Sequence, residues 1–202
     1  MKGAVSFCMC PGGEILPATC DVNGLCTNGM SNAARDGRFA NAALVASIDA
    51  GEFSTAQDAF VFLYQLEQKA FQAGGSDYTV PAQSAAAFVK GEEKLRDHDG
   101  SYRLGMNSCR LDRLLPDSIR TALVNALQRF DRMMPGFMQQ GNLVGLETRV
   151  SSPVRFLRDP ETLSSSVAGL YLAGEGAGMA GGITSAAVDG IKMAEAMIRV
   201  QA

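Results

Sequence analysis

Gly169-Leu170-Tyr171-Leu172-Ala173-Gly174-Glu175-Gly176-Ala177-Gly178-Met179-Ala180-Gly181-Gly182-Ile183-Thr184-Ser185-Ala186-Ala187 is an apolar run that gives way to alternating glycines and then to helix formers. The order predicts a strand over Ala168 to Ala173, short and apolar like one covered on both faces, then a glycine loop, then a helix reaching about Val200. Absent side chains let a planar or phosphorylated ligand approach the loop backbone, and the unpaired N–H groups of a helix start near Gly182 to Ser185 offer it a positive dipole end. No Gly-Lys-Ser/Thr closes the loop, so it is not a P-loop. Nor is it a good dinucleotide fingerprint, because Gly174, Gly176 and Gly178 alternate and no acidic residue about 20 positions on ends a second strand. Tight strand-to-helix packing alone is the alternative, less favoured reason for such glycines.

Working outward, Leu143 to Val150 and Val154 to Leu157 read as strands separated by Ser151-Ser152-Pro153. Pro116 and Asp117 open a helix whose Ile119, Leu123, Ala126, Leu127, Phe130 and Met134 fall at helical spacing, and Pro135-Gly136 ends it. Before it, Pro81 to Val89 fits a short helix, and Arg96 to Met106 is a polar connection broken by Gly100 and Gly105. A longer amphipathic helix starts at Ser54, with Ala59, Phe62, Leu63, Leu66, Ala70 and Phe71 on one face and Gly74-Gly75 as its stop. The first fifty residues alternate β-like runs with turns: Ala4 to Cys8, Glu14 to Ala18, Gly24 to Thr27 and Asn41 to Ile48. Sheet-like ends around a helical middle give an α/β fold class, with residues 49–139 inserted into a layer built from residues 1–48 and 140–202.

Composition narrows the partners. An apolar fraction of 47% over 202 residues supports a packed core. Lys and Arg total 18 against 21 Asp and Glu, for a net charge of -3 with no basic stripe, which argues against nucleic acid. No run approaches the roughly 20 apolar residues of a membrane span, and the opening Met1 to Phe7 reads as a strand instead of a signal sequence, so a cytoplasmic location is expected. Cys8, Cys10, Cys20, Cys26 and Cys109 make an odd set, expected to be reduced thiols.

The segment Gly169 to Ile191, ending Ser185-Ala186-Ala187-Val188-Asp189-Gly190-Ile191, resembles the C-terminal signature of the FAD-dependent dehydrogenases also called NAD(FAD)-utilising dehydrogenases. Three further segments are similar in the same order: Phe7-Cys8-Met9-Cys10-Pro11-Gly12-Gly13; Thr27-Asn28-Gly29-Met30-Ser31 followed by Arg35-Asp36; and Glu147-Thr148-Arg149-Val150-Ser151-Ser152-Pro153-Val154-Arg155. The resemblance covers nearly the whole chain. It implies the C-terminal part of a Rossmann-like FAD/NAD-binding flavoprotein fold whose helical middle lies on the substrate side. The implied cofactor is FAD, held by Gly174, Glu175, Gly176, Ala177, Gly178, Gly181, Gly182, Ile183 and Thr184 near the pyrimidine edge of the flavin; NADH and NADPH both stay open as reductant. Members of that family carry an upstream Gly-x-Gly-x-x-Gly half that grips the ADP. This chain lacks it and so reads as the later portion of a longer protein, with an incomplete FAD site and exposed apolar surface that promotes oligomers.

Other candidate positions have two readings each. Arg149 and Arg155 share a face if their segment is extended and would bind a substrate carboxylate or phosphate, but Pro153 interrupts the run and a solvated face fits equally. Asn28, Ser31, Arg35 and Asp36 belong to the substrate-side wall by resemblance, or to ordinary turn and capping chemistry. Glu175 either meets the flavin ribityl hydroxyls or caps its own turn. Cys8-x-Cys10 is read first as structural, because that spacing on a strand does not easily close a disulfide and neither Cys20 nor Cys26 completes a zinc pattern. His98, the only histidine, lies in a turn and is given no role, which disfavours a Ser-His-Asp triad; no metal site is expected and no catalytic residue is named. The leading expectation is a fragment of an FAD-dependent oxidoreductase acting on a small molecule; the alternative is a non-catalytic binding or assembly module.

Overall fold

The computed structural model describes residues 3–96 and 99–201. The chain falls into two units, Met1–Glu52 with Val61–Thr148, and Phe53–Phe60 with Arg149–Ala202. In the first, β1 (Ala4–Cys10) pairs antiparallel with β4 (Asn41–Ala46), and β2 (Gly13–Pro17) antiparallel with β3 (Thr27–Ser31). The register of β1 shifts between Phe7 and Cys10, and Cys8 at the irregularity has φ 53°. After a single 3-10 turn at Ala50–Glu52 comes α1 (Ala56–Gly74), opened by a reciprocal cap in which Thr55 and Asp58 each accept the other's N–H.

A three-stranded sheet follows, with β5 (Val80–Ser84) parallel to β6 (Met106–Ser108) on one side and antiparallel to β7 (Asn142–Val144) on the other. The helix expected over Pro81 to Val89 is therefore divided. Its first half is the buried central strand, and only Ala85–Lys90 forms α2, capped by Ser84 Oγ accepting the Ala87 N–H at 3.2 Å and stopped by Gly91 in the left-handed region. Pairing on both sides holds Val80–Ser84 as a strand, and the helix begins only at the alanine run Ala85 to Ala87. Short α3 (Leu111–Leu114), long α4 (Asp117–Met133) and short α5 (Phe137–Gln140) complete the unit. Pro116 is the N-cap residue of α4, one place before the first-turn position expected for it.

Two apolar clusters hold this unit. Leu66, Ala70 and Phe71 of α1 pack with Leu25, Val80, Tyr102 and Leu146, while Leu123 and Leu127 of α4 pack with Ala85, Phe88 and Leu111. Leu44 and Ala46 of β4 lean on the second cluster. Leu25 and Cys26 are buried as a strand over Gly24 to Thr27 would have them, yet they form none. The Leu25 N–H donates to the Glu67 carbonyl and the Cys26 N–H to Thr19 Oγ1, so the ladder starts only at Thr27.

The second unit contains α6 (Ile183–Gln201) and a connected irregular stretch over residues 149–182. The strands expected at Val154 to Leu157 and Ala168 to Ala173 do not form, and of Leu143 to Val150 only the start lies in a strand. Their backbone groups are spent elsewhere: Gly145, at φ 56°, turns its N–H to Pro81, Leu170 bonds back to Val167, and the Leu172 carbonyl accepts from Arg158. Asp159 organises the intervening turn by accepting the N–H groups of Glu161 and Thr162. Among the described residues no helix is long and apolar enough to cross a membrane.

Candidate functional site

The glycine loop closes on itself. The Gly178 N–H donates to the Glu175 carbonyl at 2.8 Å and the Met179 N–H to the Gly174 carbonyl at 3.0 Å, with Gly174 at φ 75° and Gly178 at φ 70°. Both angles lie where an L-residue is strained, and a Cβ at 178 would also overlap the Val154 carbonyl. Ala177 is buried, and its carbonyl accepts the Phe156 N–H at 3.0 Å. Those two glycines are explained by the chain's own geometry.

Gly176, Gly181 and Gly182 are not explained that way. Their φ values are not in the left-handed region, and a Cβ built on any of them would meet nothing within 4 Å. Each has open space where a side chain would stand, as Gly3 and Gly190 also have, so no contact inside this chain requires glycine there. Beside them α6 begins. The Ala186 N–H makes the first helical bond, to Gly182, and Ser185 Oγ donates to the Gly182 carbonyl while accepting the Gly181 N–H. Ile183, Thr184 and Ser185 are exposed, so the amides of the first turn open onto solvent with the positive end of the helix dipole.

Underneath lies a pair that sequence reading passed over. Arg158 Nη2 and Nη1 donate to the two carboxylate oxygens of Asp189 at 2.5 and 3.0 Å, Nη1 also reaches the Leu172 carbonyl at 3.2 Å, and Asp189 Oδ2 accepts the Gly174 N–H at 2.8 Å. The side chains are 14% and 11% exposed. The Arg158 guanidinium, helped by the Gly174 N–H, holds the Asp189 carboxyl down at about 2, against an ordinary 3.8. The same hydrogen bonds push Arg158 upward. The signal for this pair was weak: Asp189 stands on the buried side of α6 with Met193 and Ala196, a polar residue on an apolar face.

The other expected positions distribute as follows. Asn28 and Arg35 belong to the first unit, while Arg149, Arg155 and the loop belong to the second. Asn28 is exposed on β3, opposite Leu16. Arg35 has φ 52°, its N–H donates to Asn32, and its carbonyl occupies the space a Cβ on Gly12 would need. Ser31 Oγ donates to Pro11, so the Pro11-Gly12-Gly13 and Ser31 to Gly37 segments are joined into one turn cluster. Asn41 was missed: its side chain fills the gap left by Gly13 and Gly29, and its Nδ2 is buried without a hydrogen-bond partner among the described residues. Arg149 and Arg155 are both exposed but share no strand; the Arg155 backbone backs onto Gly178.

The Cys8 thiol is exposed and that of Cys10 buried, its Sγ donating to the Cys8 carbonyl at 3.3 Å. The slight desolvation it does undergo, then Cys10 and Glu147, push the Cys8 thiol up, away from a reactive thiolate. Burial likewise raises Glu147. Among the described residues no three His, Cys, Asp or Glu side chains gather to hold a metal, and His98 lies outside those residues. The first unit instead buries a closed polar network. Gln83 donates to Asp112 and accepts the Asp112 N–H, and Arg110 grips the Asp112 carboxylate through two nitrogens.

Residues 1–150 match the model of a family described as "FAD-dependent protein, C-terminal domain-like". A protein of Clostridium beijerinckii, described only as uncharacterized, is 42% identical over 202 residues, covering 98% of this chain and 38% of that relative. The chain thus spans well under half the length of the curated relative it matches.

Proposed function

The chain belongs to the family of FAD-dependent proteins with this C-terminal domain, and on that premise we propose that it supplies the flavin-facing wall of an FAD-dependent oxidoreductase. The observation that carries the proposal is the glycine-rich run before the exposed start of α6, in which Gly176, Gly181 and Gly182 leave open space where side chains would stand. Backbone without side chains can be approached closely by a flat ring. In this reading Gly174, Glu175, Gly176, Ala177, Gly178, Gly181, Gly182, Ile183 and Thr184 hold the isoalloxazine end of FAD, within a Rossmann-like flavoprotein fold completed by sequence outside this chain. FAD, when bound, supplies the acceptor and donor of hydride or electrons, with NADH or NADPH as reductant. The residues here bind and orient it, and the first-turn amides of α6 favour negative charge at the group they face. In the same reading the candidates for contact with a small-molecule substrate are Arg149 and Arg155 in the second unit and, separately, Asn28 and Arg35 in the first, and the location is cytoplasmic.

The test is spectroscopic. The protein expressed from its complete natural gene should purify yellow, release FAD on denaturation, and bleach anaerobically with NADH or NADPH. A colourless protein that takes up no added FAD would sink the proposal and leave an assembly module as the better reading. The exposed Ile183, Ile191 and Ile198 on one side of α6 would then be the surface to examine.

A further inference from the structure

We propose that Arg158 and Asp189 are positioning residues of the flavin loop: the pair ties the Leu172–Gly174 backbone to α6 and, being neutral as a unit, leaves the amides at the helix start as the uncompensated positive potential there. The electrostatic half rests on the flavin reading above; the backbone half does not. Four hydrogen bonds converge on this point from three stretches of chain that share no strand or helix: residue 158, residues 172 to 174, and residue 189. With the strand expected over Ala168 to Ala173 absent, no ladder fixes where the loop begins. The Asp189 carboxylate takes over that task by accepting the Gly174 N–H, and the planar Arg158 fork locks the carboxylate in turn. Gly174 sits at φ 75°, and the turn from Gly174 to Met179 follows directly from this anchored residue.

Charge makes the arrangement more than a staple. Asp189 is about 1.7 turns into α6, where a lone carboxylate would add negative charge close to the helix start; Arg158 cancels it. Lys192, one turn further along, also acts on Asp189, and Glu175 is the charged residue of the loop itself. Removing either member of the pair therefore leaves a charge of known sign beneath the loop.

The experiment compares Asp189→Asn, Arg158→Gln and Arg158→Lys in the protein made from the complete gene. Two readouts are used, amide exchange across residues 172–179 and the midpoint potential of the bound flavin. Exchange should speed up at least tenfold in all three, because even lysine cannot reproduce the two-pronged grip. The potential should rise in Asp189→Asn, fall in Arg158→Gln and stay near wild type in Arg158→Lys. Exchange rates equal to wild type would overturn the anchoring role, and potentials moving in one common direction would overturn the electrostatic one. If Asp189→Asn unfolds α6, Arg158→Lys decides the anchoring role by the same exchange measurement. Wild-type protein without flavin would fail the oxidoreductase reading and the electrostatic half together, while exchange still decides the anchoring.

Discussion

The two units of this molecule are held by different physics. In the first, Leu25, Val80 and Leu127 are fully buried, and the polar groups that share the interior, such as Gln83 and Asp112, are bonded to one another. In the second, α6 buries Asp189, Met193 and Ala196 while leaving Ile183, Ile191 and Ile198 exposed, and the loop before it is shaped by turns and one ion pair. Apolar burial defines a shape through many small, redundant contacts; a polar clamp defines it through a few that cannot be spared. Most of what makes the first unit stable is therefore spread out. What gives the second its form is concentrated at Arg158, Asp189 and Gly178.

Core truncation gives the largest effect. Leu127→Ala empties the middle of the α4 cluster and should cost about 2–5 kcal/mol in urea unfolding of the first unit. Amide protection in α6, followed in the same sample, should change far less. Equal loss in both would mean that the two units unfold as one and would break the comparison.

Acid tests the ion pair of the second unit. The Asp189 carboxyl is depressed from 3.8 to about 2 in the folded protein, so its contribution is complete above pH 4 and fades as pH falls through 2. Discharging Asp189 removes the charge that Arg158 and the Gly174 N–H hold, so acid weakens the second unit in that window. Unfolding of α6 followed from pH 5 to 1.5 should show that loss, and Asp189→Asn should flatten it. A profile shared by wild type and variant would assign the acid sensitivity to another carboxylate of that unit, such as Asp159, which hydrogen bonds from Thr162 and Glu161 hold below the ordinary range.

How far the sequence could be read follows the same division. Helical spacing located α1 and α4 and named Leu66, Ala70, Leu123 and Leu127 as core, because a helix closes its own hydrogen bonds and needs only an apolar stripe to place it. Strands need partners that lie far off in sequence. Val80–Ser84 gained two and became a strand next to the alanines that form α2, whereas Ala168 to Ala173, strand-like in composition, gained none. The loop glycines stood out in the letters. Which of them the backbone requires did not, since that depends on Val154, 24 residues earlier, passing against Gly178. Arg158 and Asp189, 31 residues apart, gave no periodic signal at all.

Substituting Gly178 tests whether the loop is as intolerant as its packing implies. Gly178→Ala places a Cβ on a left-handed residue and into the Val154 carbonyl, and should cost about 1–3 kcal/mol in the second unit or displace residues 154–155. Exchange at the Phe156 amide, which is bonded to Ala177, reports that displacement directly. An unperturbed Phe156 amide would show that the loop yields easily and that its shape is not fixed by this contact.

The smallest effect on stability carries the most information about function. Gly176→Ala meets no atom within 4 Å and strains no backbone angle, so thermal unfolding should shift by no more than about 1 kcal/mol, toward greater stability if at all. If the open glycines exist so that a flavin ring can lie against the backbone, the added methyl occupies that space, and flavin content of the purified protein should fall several-fold without any loss of fold. Gly178→Ala would lower both together and so says nothing about the ligand, whereas Gly176→Ala separates them. Unchanged flavin content in a normally folded Gly176→Ala protein would remove the ring from this part of the loop and shift the search to the amides of Ile183 to Ser185.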